Sequence, residues 1–151
     1  MHKIVFLLAV AGAACTAGLG ACTGMGTTTG TSGPPASTVV VADSDFDLTV
    51  GQSARVDGTP VTITFNGVTA DSRCPLGVMC IQAGNATVSL TVADAGTKTP
   101  LVLYSNPTLQ TPDSAKVAGY QISLVAVQPI SRRGVTIPPE SYIASLHVSK
   151  I

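Results

Sequence analysis

Charge is scarce in this chain of 151 residues: Asp, Glu, Lys and Arg make up 11% of it, against about 25% in a typical soluble domain. The eight basic residues balance the eight acidic ones, and tryptophan is absent. With no net charge, no basic run and no Trp, the chain lacks an electrostatic footprint for a phosphate backbone, so no nucleic-acid partner is expected. Gly, Thr, Ser, Val and Ala dominate instead, which fits neither a charge-driven disordered tail nor a charged helical bundle. The length supports one domain and a short appendage but not two independent cores.

Catalytic signatures are missing too. No Gly-x-Ser-x-Gly elbow, aspartic-protease Asp-Thr/Ser-Gly loop, His-Glu-x-x-His pair or phosphate-cradling glycine loop occurs. The run Asp43-Ser44-Asp45-Phe46-Asp47 fails as a calcium loop, because its sixth and twelfth places hold Leu48 and Ala54 where Gly and Glu are needed. If Tyr142, Ala144, Leu146 and Val148 face a core, His147 faces solvent on a regular strand. Arg132 and Arg133 precede Gly134 in a polar loop and read as solvated. No acid–base pair emerges from spacing, so the sequence points to no enzyme, no cofactor and no metal.

An export address is what the chain does carry. His2 and Lys3 hold the only charge of the first 42 residues and precede an apolar run from residue 4 to 14, the pattern of a secretory signal covering 1–21. Gly12, Thr16, Gly18 and Gly20 dilute the apolar segment from residue 4 to 21, leaving it weak and barely long enough for a membrane span of about 20 residues, so a permanent transmembrane helix is the lesser reading. It ends in Leu19-Gly20-Ala21-Cys22, which resembles the lipobox of bacterial lipoproteins. The resemblance implies cleavage before Cys22, diacylation of that cysteine and attachment to a membrane through the lipid. Cys15 lacks the bulky residue upstream. Thr23, where an Asp would retain a lipoprotein in the inner membrane, implies the outer membrane, facing the periplasm. Residues 22–42 then read as the lipidated cysteine and a flexible linker. Its first seventeen residues contain six Thr, four Gly, two Ser and two Pro, and a flexible chain of about 20 residues reaches roughly 25 Å.

Residues 43–151 read as a β-domain. Alternation of polar and apolar residues marks strands at 43–50, 53–56, 61–65, 86–92, 101–104, 120–128 and 142–148. Asp57-Gly58 between the second and third predicts a hairpin. About seven short strands with turn residues between them predict an all-β fold, an antiparallel β-sandwich (Ig-like) or a small barrel. Along 120–128 the polar face sits at the odd positions Gln121 and Ser123 and then at the even position Gln128, so a β-bulge is expected near Leu124-Val125.

Once Cys15 leaves with the signal and Cys22 takes the lipid, Cys74 and Cys80 remain, in a chain routed to an oxidising compartment. A disulfide is the leading reading. A loop of about seven residues limits its contribution to roughly 2 kcal/mol. A zinc site would need more ligands than the lone His147 of the exported part supplies, and the spacer is longer than that of a Cys-x-x-Cys redox pair.

The segment Asp71-Ser72-Arg73-Cys74-Pro75, followed by Val78-Met79-Cys80-Ile81-Gln82-Ala83-Gly84-Asn85-Ala86, resembles one that recurs in a group of uncharacterised bacterial secreted proteins and lipoproteins. The similarity extends to Leu48-Thr49-Val50-Gly51-Gln52-Ser53-Ala54, to Gly119-Tyr120-Gln121-Ile122 and to residues 138–146. It implies export and the β-fold but no activity. The group usually has an aromatic residue where this chain has Gln82, which removes a stacking role from that place. Within the segment, Asp71 can cap the loop or pair with Arg73, and Gly84-Asn85 suits positive φ. A locked inter-strand loop is the plainer reading. A rigid loop also recognises partners, which makes Asp71, Arg73, Pro75, Gln82 and Asn85 the candidate interaction residues. Asn85-Ala86-Thr87 matches a glycosylation triplet, a coincidence in a bacterial lipoprotein.

Two functions follow as expectations. The first is a lipid-anchored structural or protein-interaction module of the bacterial cell envelope, with an envelope protein as partner. The second is a small envelope inhibitor of a peptidase or lysozyme, since Ser105-Asn106-Pro107-Thr108 resembles the Asn-Pro-Thr loop of chagasin-like cysteine-peptidase inhibitors, although Leu109-Gln110 stands where Thr-Gly should follow.

Overall fold

A computed structural model describes residues 37–108 and 110–151; the signal segment, Cys22 and the linker up to residue 36 lie outside the described residues. The chain forms nine strands: β1 (Ser37–Val40), β2 (Ser44–Thr49), β3 (Ser53–Val56), β4 (Thr62–Asp71), β5 (Ala86–Asp94), β6 (Thr97–Tyr104), β7 (Ser114–Val117), β8 (Tyr120–Gln128) and β9 (Ile143–Lys150). They make two sheets, one ordered β1-β3-β4-β5-β6 and the other β2-β9-β8-β7. Every pairing is antiparallel except β1 with β3. The sheets face each other as a β-sandwich, and among the described residues no barrel closes.

Period-2 alternation builds the core between the sheets. From one side come Ile63, Phe65, Val88, Leu90 and Leu103, and from the other Leu48, Ile122, Leu146 and Val148, all at most 1% exposed. Each such side chain contributes about 1.5–3 kcal/mol on leaving water. No polar or charged residue is buried among the described residues, so this interior is held by apolar packing alone. Tyr142, Ala144, Leu146 and Val148 all face inward, as expected.

The hairpin of β3 and β4 forms with Ser53 opposite Thr64 and Arg55 opposite Thr62. The bulge also lies where the polarity reversal puts it: Leu124 pairs with Leu146 and Ala126 with Ser145, leaving Val125 as the extra residue. Beyond it the parity inverts, so Val127 is buried and Gln128 exposed.

Strand structure extends past the alternating segments, by two residues at the ends of β5 and β9 and further elsewhere. Ser37–Val40, within the expected linker, forms β1, and Ser114–Val117 forms β7. β4 continues to Asp71 through two register shifts, at Asn66 and Thr69, while β6 begins at Thr97. The two-residue turns Ala95-Gly96 and Ala118-Gly119, with positive φ at all four residues, join β5 to β6 and β7 to β8.

Asp71 pairs with Ala86, Thr87 with Tyr104, and Gln128 with Ile143. The loops 72–85, 105–113 and 129–142 therefore leave from the same ends of the strands and gather at one end of the sandwich.

Candidate functional site

The loop after β4 has a neck and a tip. At the neck, the Ser72 N–H donates to the Asn85 carbonyl at 2.7 Å and the Cys74 N–H to the Ala83 carbonyl at 2.8 Å. The two strands of the neck approach so closely that a Cβ on Gly84 would lie 1.8 Å from the Ser72 carbonyl oxygen, and Gly84 also has φ of +68°. Glycine is required there on both counts. The tip is closed by the Cys74–Cys80 disulfide, with Cα atoms 6.0 Å apart. Inside it the Val78 N–H donates to the Pro75 carbonyl at 3.1 Å, and the Leu76 N–H reaches across to the Ser131 carbonyl at 2.8 Å.

A charged clamp fixes the loop's base to the opposite sheet. The Arg73 guanidinium donates to both Asp71 carboxylate oxygens, at 2.9 Å and 2.7 Å, and the Arg73 backbone N–H donates to the same group at 3.1 Å. Arg73 also donates to the carbonyls of Val127 and Pro129, and the Tyr142 hydroxyl donates to Asp71 at 3.0 Å. The side chains of Arg73 and Asp71 keep only 16% and 13% of their surface exposed. Burial by itself would raise the Asp71 carboxyl, but the Arg73 hydrogen bonds and charge, helped by Tyr142, outweigh it and hold the group below the usual carboxylate range. The Asp71 hydrogen bond raises Arg73 above its ordinary value against the opposing effect of burial. Burial, then the bond to Asp71, pushes Tyr142 upward. This carboxylate accepts from four donors, so it acts as a clamp and not as a poised base.

Asn85 joins the neck to the loop after β6. Its side-chain oxygen accepts from the Ser105 hydroxyl at 3.2 Å and from the Asn106 N–H at 3.0 Å, and its amide donates to the Asn106 carbonyl at 3.3 Å. The Asn106 amide donates back to the Gly84 carbonyl at 3.2 Å. The 105–108 segment thus stands against the disulfide loop.

Of the candidate residues, Asp71, Arg73 and Asn85 are engaged in holding the loop, and Pro75 sits at its internal turn. Gln82 is exposed beside Asn106, Thr108 and Thr111 around a shallow recess. The outward surface is instead apolar. Met79 and Ile81 are fully exposed and Leu76 is 59% exposed. Of the eleven exposed large apolar side chains among the described residues, only Val39, Val41, Val102 and Ile151 lie away from this end. The sequence pattern does not reveal Tyr142, Ser105 and Asn106 as partners of the loop, because nothing local marks them. Met79 inside the disulfide-closed loop and Ile81 just after it are legible as apolar residues in a segment with too few positions to hide them.

On the outer face of the second sheet, Asp45 and Ser123 lie directly opposite His147 on its two flanking strands. His147 Nδ1 and Asp45 Oδ1 are 2.6 Å apart, and the His147 side chain is 36% exposed. The residue types are those of a hydrolytic triad, but among the described residues Ser123 makes no bond to His147. At Ser123 both neighbours of β8 pair with its backbone, to Ser114 on one side and His147 on the other. Among the described residues there is no cluster of three or more metal-ligating side chains. Comparison with known protein families, with characterised proteins and with solved structures gave no match.

Proposed function

We propose that this protein is a lipid-anchored module of the bacterial cell envelope, exported by its leader, acylated at Cys22 and held at the outer membrane facing the periplasm. In this reading it serves a structural or protein-interaction role. The observation that carries it is the loop end: a disulfide-closed tip with Met79 and Ile81 fully exposed, on a base fixed by Asp71, Arg73 and Asn85. Ordering such a loop before contact lowers the entropy lost on binding, and exposed apolar groups of this kind mark contact surfaces. Metabolic labelling with palmitate tests the anchor: label on the wild-type chain and none on Cys22→Ser is expected. A photo-crosslinker at Gln82, beside the tip, tests the contact in intact envelopes. Discrete adducts are expected, and a chain that stays free of adducts contradicts the reading.

A second reading, inhibition of a peptidase or lysozyme, is favoured by one observation, the placement of Ser105-Asn106-Pro107-Thr108 against the disulfide loop. Sub-micromolar inhibition of a papain-like peptidase or of lysozyme would support it over the first.

A further inference from the structure

We propose that the apolar tip at Met79 and Ile81 inserts into the surface of an anionic lipid bilayer, giving the domain a second membrane contact beside the acyl group. This deepens the proposed function and rests on the Cys22 anchor. It divides the loop end, giving Met79 and Ile81 to lipid and leaving the recess at Gln82, Asn106, Thr108 and Thr111 beside them for the protein contact.

The first support is the direction of the chain. β1 runs parallel to β3, with Ser37 level with Ser53, and Ser53 is level with Thr64 on β4. Ser37 is thus the end of β1 nearer the loops, and β4 climbs from that level to Asp71, a rise of about 20 Å for seven residues in a bulged strand. The fifteen residues of chain from Cys22 to Ser37 span at most about 50 Å. A lipid on Cys22 can therefore lie level with the tip, and the sandwich can stand on its loop end.

The second support is charge. Asp71 and Arg73 neutralise each other at this end. Arg132 and Arg133 are exposed, form no ion pair among the described residues, and Leu76 is bridged to Arg132. Glu140 and Asp113, at the start of β7, are the other acids of these loops, so the end as a whole is neutral and the basic charge is local to the tip, where Arg132 adjoins Leu76. Basic groups flanking exposed apolar side chains suit an anionic headgroup layer over an acyl interior.

Because the chain has no tryptophan, one introduced indole reports its own surroundings. Full-length acylated protein carrying Met79→Trp, Ile81→Trp or, at the exposed far end, Lys98→Trp is reconstituted into vesicles of phosphatidylethanolamine and phosphatidylglycerol with brominated acyl chains. Blue-shifted emission and bromine quenching at positions 79 and 81, with neither at 98, are expected, and the quenching should weaken when phosphatidylcholine replaces phosphatidylglycerol. Equal, unshifted and unquenched emission at all three positions on vesicle-bound protein overturns the insertion alone. Protein that does not remain on the vesicles overturns the anchor reading beneath it. A shift at 79 and 81 that appears only after envelope proteins are added assigns the tip to a protein and overturns the lipid assignment. Quenching indifferent to phosphatidylglycerol overturns the part given to Arg132 and Arg133.

Discussion

At the scale of single residues, Gly84 and Asp71 do the most to define the loop end. A methyl group at Gly84 would collide with the Ser72 carbonyl and meet an unfavourable φ as well, so Gly84→Ala should cost about 3 kcal/mol in urea unfolding, more than an ordinary surface change. Asp71→Asn leaves the largely covered Arg73 without its counter-charge and should cost about 2 kcal/mol. The pH dependence has a defined sign. The folded Asp71 carboxyl lies below its unfolded value, so its contribution is present above the ordinary carboxylate range and is lost as pH falls through the folded pKa. Urea midpoints measured from neutral pH downward should therefore drop in acid for the wild type, and the drop should be smaller in Asp71→Asn. Equal acid limbs for the two proteins would show that Asp71 is not the group responsible.

At the scale of elements, the neck and the tip should separate experimentally. The neck has backbone hydrogen bonds of its own at Ser72 and Cys74, which do not involve the sulfur atoms. Replacing Cys74 and Cys80 together by Ser should therefore cost about 2 kcal/mol. Amide exchange should speed up within residues 75–82 while the Ser72 and Cys74 amides stay protected; global unfolding would mean that the bridge holds more than its own loop. Deleting Val125 removes the extra residue of β8 and leaves a regular ladder in which Ala126, Val127 and Gln128 keep their partners and faces. The deletion should therefore be tolerated with a loss of about 1 kcal/mol in urea unfolding, whereas a loss of several kcal/mol would show that the bulge itself holds the loop end.

These elements also show what sequence can and cannot announce. The bulge is legible because polarity along 120–128 changes parity, and the β3–β4 hairpin because Asp57-Gly58 is a strong turn signal. β7 and the start of β6 are not, because Ala118-Gly119 and Ala95-Gly96 put alanine where Asn or Asp normally marks a positive φ. The far half of β4 is hidden by its register shifts at Asn66 and Thr69, which destroy the period of two. β1 buries only Val40, so it carries no alternation to set it apart from the Thr- and Ser-rich linker. At the site, the pairing of Asp71 with Arg73 is readable from a separation of two residues. Tyr142 and Asn106 are distant in sequence and are brought in only by the fold.

At the scale of the whole molecule, the sandwich is a uniform apolar core whose polar features are pushed to its outer faces and one end. Among the described residues no helix is long and apolar enough to cross a membrane; the proposed attachment uses Cys22 and the loop end instead. The central claim is that the chain works outside the cytosol as a lipid-tethered domain with a locked loop. Mass spectrometry of the protein purified from native membranes, without reduction, tests it most directly. A chain beginning at Cys22, heavier than its peptide mass by the acyl and glyceryl groups and lighter by the two hydrogens lost between Cys74 and Cys80, is the expected result. A chain that retains Met1 and carries two free thiols at Cys74 and Cys80 would contradict it.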